Sequence, residues 1–249
     1  MIKNIIKTIM PKNFLKGYRL LQMEKRFTYA KDCLYTFNNC DFISEERFKK
    51  AYIEGKKTGS WGNEEIEWRV YVVLYFAKIA SKLEGDFVEC GVNRGGLCSA
   101  IFSYLEFQNL NKTFYLLDTF NGFDESLLSN GELKSPFRGY YSDCYSDVLE
   151  TFSKFKNVSI IKGSIPSTLD QVKSEKISFL SVDLNCAAPE VSALDYFYPK
   201  LVLGGIIVLD DFGFPGFESQ FNAEKEWAKN TGIEILALPT GQGIIIKTK

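Results

Sequence analysis

From Glu64 to Leu83, apolar side chains recur at Ile66, Val70, Val73, Leu74, Ala77 and Ala80, the three-and-four spacing of one helical face. Beyond that helix the period changes. Short apolar runs stand at Phe87–Cys90, Thr113–Leu117, Val158–Ile161, Ile177–Val182, Gly205–Leu209, Ile233–Leu238 and Gly243–Lys247, each about the length of a strand. Helical spacing lies between the earlier runs, as at Leu97 to Leu105 and Glu190 to Phe197. Alternating strand and helix predicts a parallel sheet with helices on both faces. Only Pro239-Thr240-Gly241-Gln242 joins the last two runs, too short for a crossover helix, so that pair must be antiparallel. The expected fold is α/β and Rossmann-like: a seven-stranded, mostly parallel sheet ending in an antiparallel hairpin, plus N-terminal helices.

The chain before this pattern reads differently. Residues 1–60 are polar-aromatic and helical in spacing, with no β-rich run, and are expected as a helical extension of a domain spanning 61–249. Ile2, Ile5, Ile6 and Ile9 sit among lysines at helical spacing, which predicts a basic amphipathic helix. Packing on the same chain or on a second subunit is favoured over a membrane surface. Residues 121–147 form a long mixed stretch punctuated by Gly122, Gly131, Pro136 and Gly139. A connection of that length in a compact domain is usually functional or disordered, and its place after the second strand predicts a lid.

Composition narrows the chemistry. The net charge of −1 over 249 residues gives no basic surface for nucleic acid. Lys7 and Lys12 interrupt the first apolar run before it could serve as a secretory leader, and no stretch of about 20 apolar residues exists to span a membrane. The six cysteines lack C-x-x-C spacing, which argues against zinc and against a disulfide framework. A cytoplasmic protein with free thiols is expected. Histidine is absent altogether. That excludes Ser-His-Asp and Cys-His hydrolases and any His-ligated metal, leaving carboxylates, Tyr, Lys, Cys, backbone dipoles or a bound cofactor.

In an open parallel sheet, ligands bind beyond the carboxyl ends of the strands, where the strand order reverses. The first such end, Asp86-Phe-Val-Glu-Cys-Gly-Val-Asn-Arg-Gly-Gly-Leu, has Gly91, Gly95 and Gly96 for a tight turn that a ligand can approach closely. Glu89 there would repel a pyrophosphate but welcome the cationic amino group of S-adenosylmethionine. The second end places Asp118 to accept from ribose hydroxyls, or to cap a helix, with Thr119 and Phe120 along an adenosine pocket. The third offers Gly163 and Ser164 near the base. At the fourth and fifth ends stand Asp183 and the pair Asp210 and Asp211. Adjacent strands lie about 4.8 Å apart, so three carboxylates would converge on one edge. Such a cluster needs a cation or protons, and an all-oxygen set suits Mg²⁺ or a similar hard ion.

Gly-Asp-Phe-Val-Glu-Cys-Gly-Val (85–92), Leu-Leu-Asp-Thr-Phe-Asn-Gly-Phe (116–123), Lys-Gly-Ser-Ile-Pro-Ser-Thr-Leu (162–169), Val-Asp-Leu-Asn (182–185) and Tyr-Pro-Lys-Leu-Val-Leu-Gly-Gly-Ile-Ile-Val-Leu-Asp-Asp-Phe-Gly (198–213) together resemble the macrocin O-methyltransferase family. The resemblance covers roughly residues 61–249. It implies a class I methyltransferase that uses S-adenosylmethionine and Mg²⁺ to methylate sugar hydroxyls beneath a mobile helical lid. It further implies metal ligands at Asp183, Asp210 and Asp211. Cofactor contacts are implied at Glu89, Gly91, Val92, Arg94, Gly95 and Gly96, at Asp118, Thr119, Phe120, Asn121 and Gly122, and at Gly163, Ser164 and Asp183. Where antibiotic-type members carry a second acid, two residues after the first metal ligand, this chain has Asn185. Proton removal then falls to a free oxygen of Asp183 or to Glu190, while Asn185 orients a hydroxyl.

The expected acceptor is a glycan, a polysaccharide precursor or a glycosylated metabolite, and the expected assembly a homo-oligomer. Three rivals share parts of the pattern: a catechol-type O-methyltransferase, a nicotinamide-dependent oxidoreductase, and a methyltransferase-like binding subunit without catalysis.

Overall fold

A computed structural model describes residues 27–134 and 139–249. The helix expected at Ile2–Ile9 lies outside the described residues. Chain order begins with a small hairpin, β1 (Tyr29–Lys31) and β2 (Leu34–Thr36), then α1 (Glu46–Lys57) and α2 (Glu67–Ala80). The large sheet follows as β3 (Asp86–Cys90), α3 (Gly96–Leu105), β4 (Phe114–Asp118), α4 (Tyr145–Phe152), β5 (Val158–Lys162), β6 (Ile177–Val182), α5 (Ala187–Phe197), β7 (Leu201–Leu209), α6 (Glu218–Thr231), β8 (Leu236–Ala237) and β9 (Gly243–Ile246). Its strand order is β5-β4-β3-β6-β7-β9-β8. The first five strands pair in parallel, while β9 runs antiparallel to both β7 and β8. The expected seven-stranded architecture is therefore present. After β3 the chain steps outward to β4 and β5, then returns to place β6 on the other side of β3. The reversal opens a crevice at the tips of β3 and β6.

Strand side chains alternate between two apolar layers. Phe87, Phe114, Leu116, Phe179, Ile206 and Val208 face α1 to α4, and Val88, Leu117, Leu180, Val182, Ile207 and Leu209 face α5 and α6. Phe87 lies 5.1 Å from Phe107, 5.6 Å from Phe114 and 5.0 Å from Phe179, ring centre to ring centre. Each such fully buried ring contributes roughly 1.5–3 kcal/mol from apolar burial. Two-sided burial explains why these strands read as continuous apolar runs. No helix among the described residues is long and apolar enough to cross a membrane.

The region before residue 60 departs from expectation twice. Residues 29–36 form a hairpin, not a helix. Its turn residues Asp32 and Cys33 have φ of 50° and 57°, the left-handed pair that a two-residue hairpin turn requires. The Tyr29 hydroxyl donates to a carboxylate oxygen of Glu67 at 3.1 Å, and Lys31 pairs with the same carboxylate at 2.8 Å, fastening the hairpin to α2. Helix α1 buries Phe48 and Ala51 in the core of the main domain, so it is part of that packing and no mere extension. A side chain on Gly55 would meet the Gly96 carbonyl at 2.6 Å, which shows how closely α1 crosses α3. The run expected as a strand at 233–238 pairs only at Leu236–Ala237, because Ile233 and Ile235 turn into the α6 layer.

Candidate active site

One cavity of about 540 Å³ opens at the crevice. The turn after β3, the tips of β4, β5, β6 and β7, the hairpin turn and the segment around Tyr141 all contribute walls. Gly91 determines how tightly this assembles. Its φ is +88°, and a Cβ there would sit 1.8 Å from the Asp183 carbonyl oxygen. Only glycine tolerates both the backbone angle and the contact. The Asp183 amide also donates to the Cys90 carbonyl at 2.8 Å, extending the β3–β6 ladder to the cavity floor.

On the β3 side, Glu89 is 1% exposed and lines the cavity, and its Oε2 has no hydrogen-bond partner. Burial holds this carboxyl well above the usual carboxylate range. A buried acid with one oxygen unpartnered and facing a cavity fits a cationic ligand group such as the ammonium of S-adenosylmethionine. Gly91, Val92 and Gly96 line the same wall, as do Asp118 to Gly122, Gly163 and Ser164. Arg94 and Gly95 do not. Arg94 turns outward to pair with Asp147 at the start of α4, and Gly95 (φ +85°) packs its backbone beneath the Phe152 ring as the N-cap of α3.

Asp118 has a second duty. Its Oδ2 accepts from the amides of Val92 and Asn93 at 2.6 and 2.7 Å, and its Oδ1 accepts from the amide of Phe120 at 2.6 Å. The carboxylate thus ties the β3 turn to the β4 turn. Burial raises its pKa, and these amide donors counter the rise. A ribose would meet a carboxylate already anchored in place.

On the β6 and β7 side the expected acids converge. Asp183, Asp210 and Asp211 each offer an oxygen, and these lie within 4.8 Å of one another. Opposed oxygens on one Mg²⁺ lie about 4.2 Å apart, so a slight closing would bring the trio to ligation distance. Asp211 is pushed up to about 7 by burial and by the Asp210 charge, against the pull of Arg69. Burial and the charges of Asp210 and Asp211 raise Asp183 well above the usual range, against the pull of Arg69.

Several neighbours of these acids escape the sequence patterns. Arg69, from the first turn of α2, donates through Nη1 to Asp210 Oδ2 at 2.7 Å and to Asp211 Oδ1 at 3.0 Å, and through Nε to Asp32 Oδ2 at 3.0 Å. Gln242, immediately before β9, donates to the other Asp210 oxygen at 2.9 Å. Asn185, at φ +56°, donates through Nδ2 to Asp183 Oδ1 at 3.0 Å and to the Tyr141 hydroxyl at 3.2 Å. Arg69 was legible only as one of two cations, with Lys78, in a largely apolar helix, and nothing local marks Gln242.

Glu190 is not brought to the cavity. It is 2% exposed, and its Oε1 accepts from the amides of Leu184 and Asn185 at 3.0 and 3.1 Å and from Gln220 Nε2 at 2.9 Å. It supports the loop carrying Asn185 from beneath, at the first turn of α5. The expectation that it removes a proton from the acceptor is corrected by this placement.

Residues 75–234 match the macrocin-O-methyltransferase family. Mycinamicin III 3''-O-methyltransferase of Micromonospora griseorubida is 24% identical over 143 residues, covering 53% of this chain and 56% of that protein. Demethyldecarbamoylnovobiocin O-methyltransferase of Streptomyces niveus is 25% identical over 155 residues, covering 54% and 55%. The chain spans about half the length of these curated relatives. Its fold is similar to that of the O-methyltransferase NovP, with a TM-score of 0.65 at 20% identity over 73% of this chain and 80% of that one. It is also similar to the apo structure of CalS11, a TDP-rhamnose 3'-O-methyltransferase, with a TM-score of 0.54 at 11% identity over 95% of each.

Proposed function

We propose that this chain, which belongs to the macrocin-O-methyltransferase family, transfers a methyl group from S-adenosylmethionine to a sugar hydroxyl, aided by a divalent cation. One observation carries the reading: a buried acid with one free oxygen at the glycine turn and three converging carboxylates share a single cavity.

S-adenosylmethionine, when bound, would supply a methyl group on a sulfonium whose sulfur would be left as a neutral thioether. Asp183, Asp210 and Asp211 would hold a divalent cation, whose Lewis acidity would lower the pKa of the acceptor alcohol. Glu89 receives the cofactor's ammonium. Asp118 holds the turn at Val92 and Asn93 against the nucleoside and offers its oxygens to the ribose. Asp183, oriented by Asn185 through Oδ1, takes the hydroxyl proton on its other oxygen. Tyr141 stays a phenol, because burial and the charges of Asp183 and Asp211 push its pKa up. Trp61, Tyr140 and Phe214 line the remaining wall and offer apolar faces to the C–H side of a sugar ring. Asn121 to Asp124 and Tyr140 to Ser142, from the stretch expected as a lid, line the cavity and act as its cover.

Titration of the protein with S-adenosylhomocysteine and Mn²⁺, followed by methyl transfer to glycosides carrying vicinal hydroxyls with and without EDTA, tests the reading. Failure to bind the nucleoside would sink it entirely. Transfer that survives EDTA would remove the cation alone.

A further inference from the structure

We propose that Arg69 is a resident counter-ion of the Asp210–Asp211 pair, which a divalent cation must displace, and that Asp32 in the hairpin turn is the seat the guanidinium keeps when it yields. The inference rests on the reading above that these acids hold a cation. One nitrogen, Nη1, is shared by both carboxylates, at 2.7 Å from Asp210 Oδ2 and 3.0 Å from Asp211 Oδ1. A unit positive charge thus already bridges the pair. Gln242 occupies the other Asp210 oxygen, so Arg69 holds the one that remains for an ion. Asp183 differs: its Oδ1 accepts from Asn185, and it completes the trio from the neighbouring strand.

The guanidinium is gripped from its other edge as well. Nε donates to Asp32 at 3.0 Å, and the Phe214 ring lies 5.0 Å from the guanidinium carbon. The Arg69 side chain is 15% exposed and that of Asp32 is 11% exposed, so this is an inner contact and no surface pair. A divalent ion and a guanidinium a few ångström apart repel strongly where water is scarce. Turning Nη1 away while Nε stays on Asp32 relieves that repulsion without leaving the arginine unpaired. In the cation's absence the arginine spares two adjacent carboxylates their mutual repulsion. In its presence the arginine is committed to Asp32, so the hairpin that walls the cavity registers loading.

Mn²⁺ binding to the full chain, measured by calorimetry with saturating S-adenosylhomocysteine, decides the matter. Removing a competing charge should make R69M bind Mn²⁺ about tenfold more tightly than the parent. D32N, which removes the alternate seat, should bind more weakly. Hydrogen exchange on the unmodified protein gives a second readout that needs no variant: Mn²⁺ should slow exchange of the hairpin amides between Tyr29 and Thr36. R69M binding Mn²⁺ no better than the parent, or hairpin exchange indifferent to Mn²⁺, overturns the exchange of cations while leaving the metal reading intact. Absence of Mn²⁺ binding to parent and R69M alike overturns both.

Discussion

Gln242 Nε2 lies 2.9 Å from Asp210 Oδ1, a contact made across 32 residues of chain. Gln242 is wholly buried, and its own Oε1 accepts from the Thr240 hydroxyl at 2.9 Å, so the amide is fixed on both sides. Replacing it with leucine leaves a buried carboxylate oxygen and a hydroxyl short of partners. Q242L should lose about 1–3 kcal/mol of stability. Chemical denaturation will show this, and an unchanged midpoint would contradict the contact.

Asp210 and Asp211 are claimed as ligands, not as structural caps. D210N should therefore cut methyl transfer about a thousandfold, several kcal/mol of transition-state stabilisation, with S-adenosylhomocysteine affinity little altered. Parallel calorimetry and single-turnover assays separate the two effects. Full activity in D210N would falsify the ligand role.

Glu89 makes a prediction about protons. Burial raises the pKa of its carboxyl in the free protein, whereas an ammonium beside it favours the ionised form. Cofactor binding should then release a proton, and affinity should rise with pH until the free protein ionises. E89Q should weaken S-adenosylhomocysteine about ten- to a hundredfold and abolish that slope. The measurement is calorimetry in buffers of different ionisation enthalpy; a buffer-independent heat in the parent would rule the ammonium contact out.

Away from the cavity, Glu224 of α6 lies against Glu190 of α5, and burial pushes its carboxyl up to about 8. Because the folded value exceeds the unfolded one near 4.5, the folded state binds more protons between them. Stability from this site is therefore full below about pH 4.5 and drains as pH rises toward 8. E224Q should equal the parent near pH 5 and melt higher at pH 8, by on the order of a few kcal/mol. Melting curves across that interval check it, and parallel pH profiles would refute the shared proton.

Gly91 offers the severest structural test. With the Asp183 carbonyl 1.8 Å from where a Cβ would stand, and φ at +88°, G91A has no rotamer through which to escape. A loss of about 3 kcal/mol or more is expected, with cofactor and cation binding impaired together. Thermal melting with both titrations will show whether the two losses travel as one.

Strand positions, the antiparallel finish and the three converging acids were legible because each depends on a short local pattern: an apolar run, a four-residue link, an acid closing a strand. What could not be read depends on distant partners. Glu190 sits one helical turn beyond the Asp183 loop, near enough in sequence to look catalytic. Its direction is set by Gln220, thirty residues away on another helix. Arg94 follows the glycine turn as a cofactor contact would, yet Asp147 draws it outward. The hairpin at 29–36 lacks the Asn-Gly or Asp-Gly signal of its turn type, and Asp32-Cys33 adopts those angles under tertiary contacts.

The seam between Gly91 and Asp183 has a consequence for how such a pocket can change over time. Donor wall and acidic wall share one stretch of touching main chain, so neither can be widened, shortened or re-angled without dragging the other along. Variation that tunes the acceptor must therefore come from pieces that overlie this seam, such as the hairpin turn and the span around Tyr141. The floor itself is left as an inherited constant.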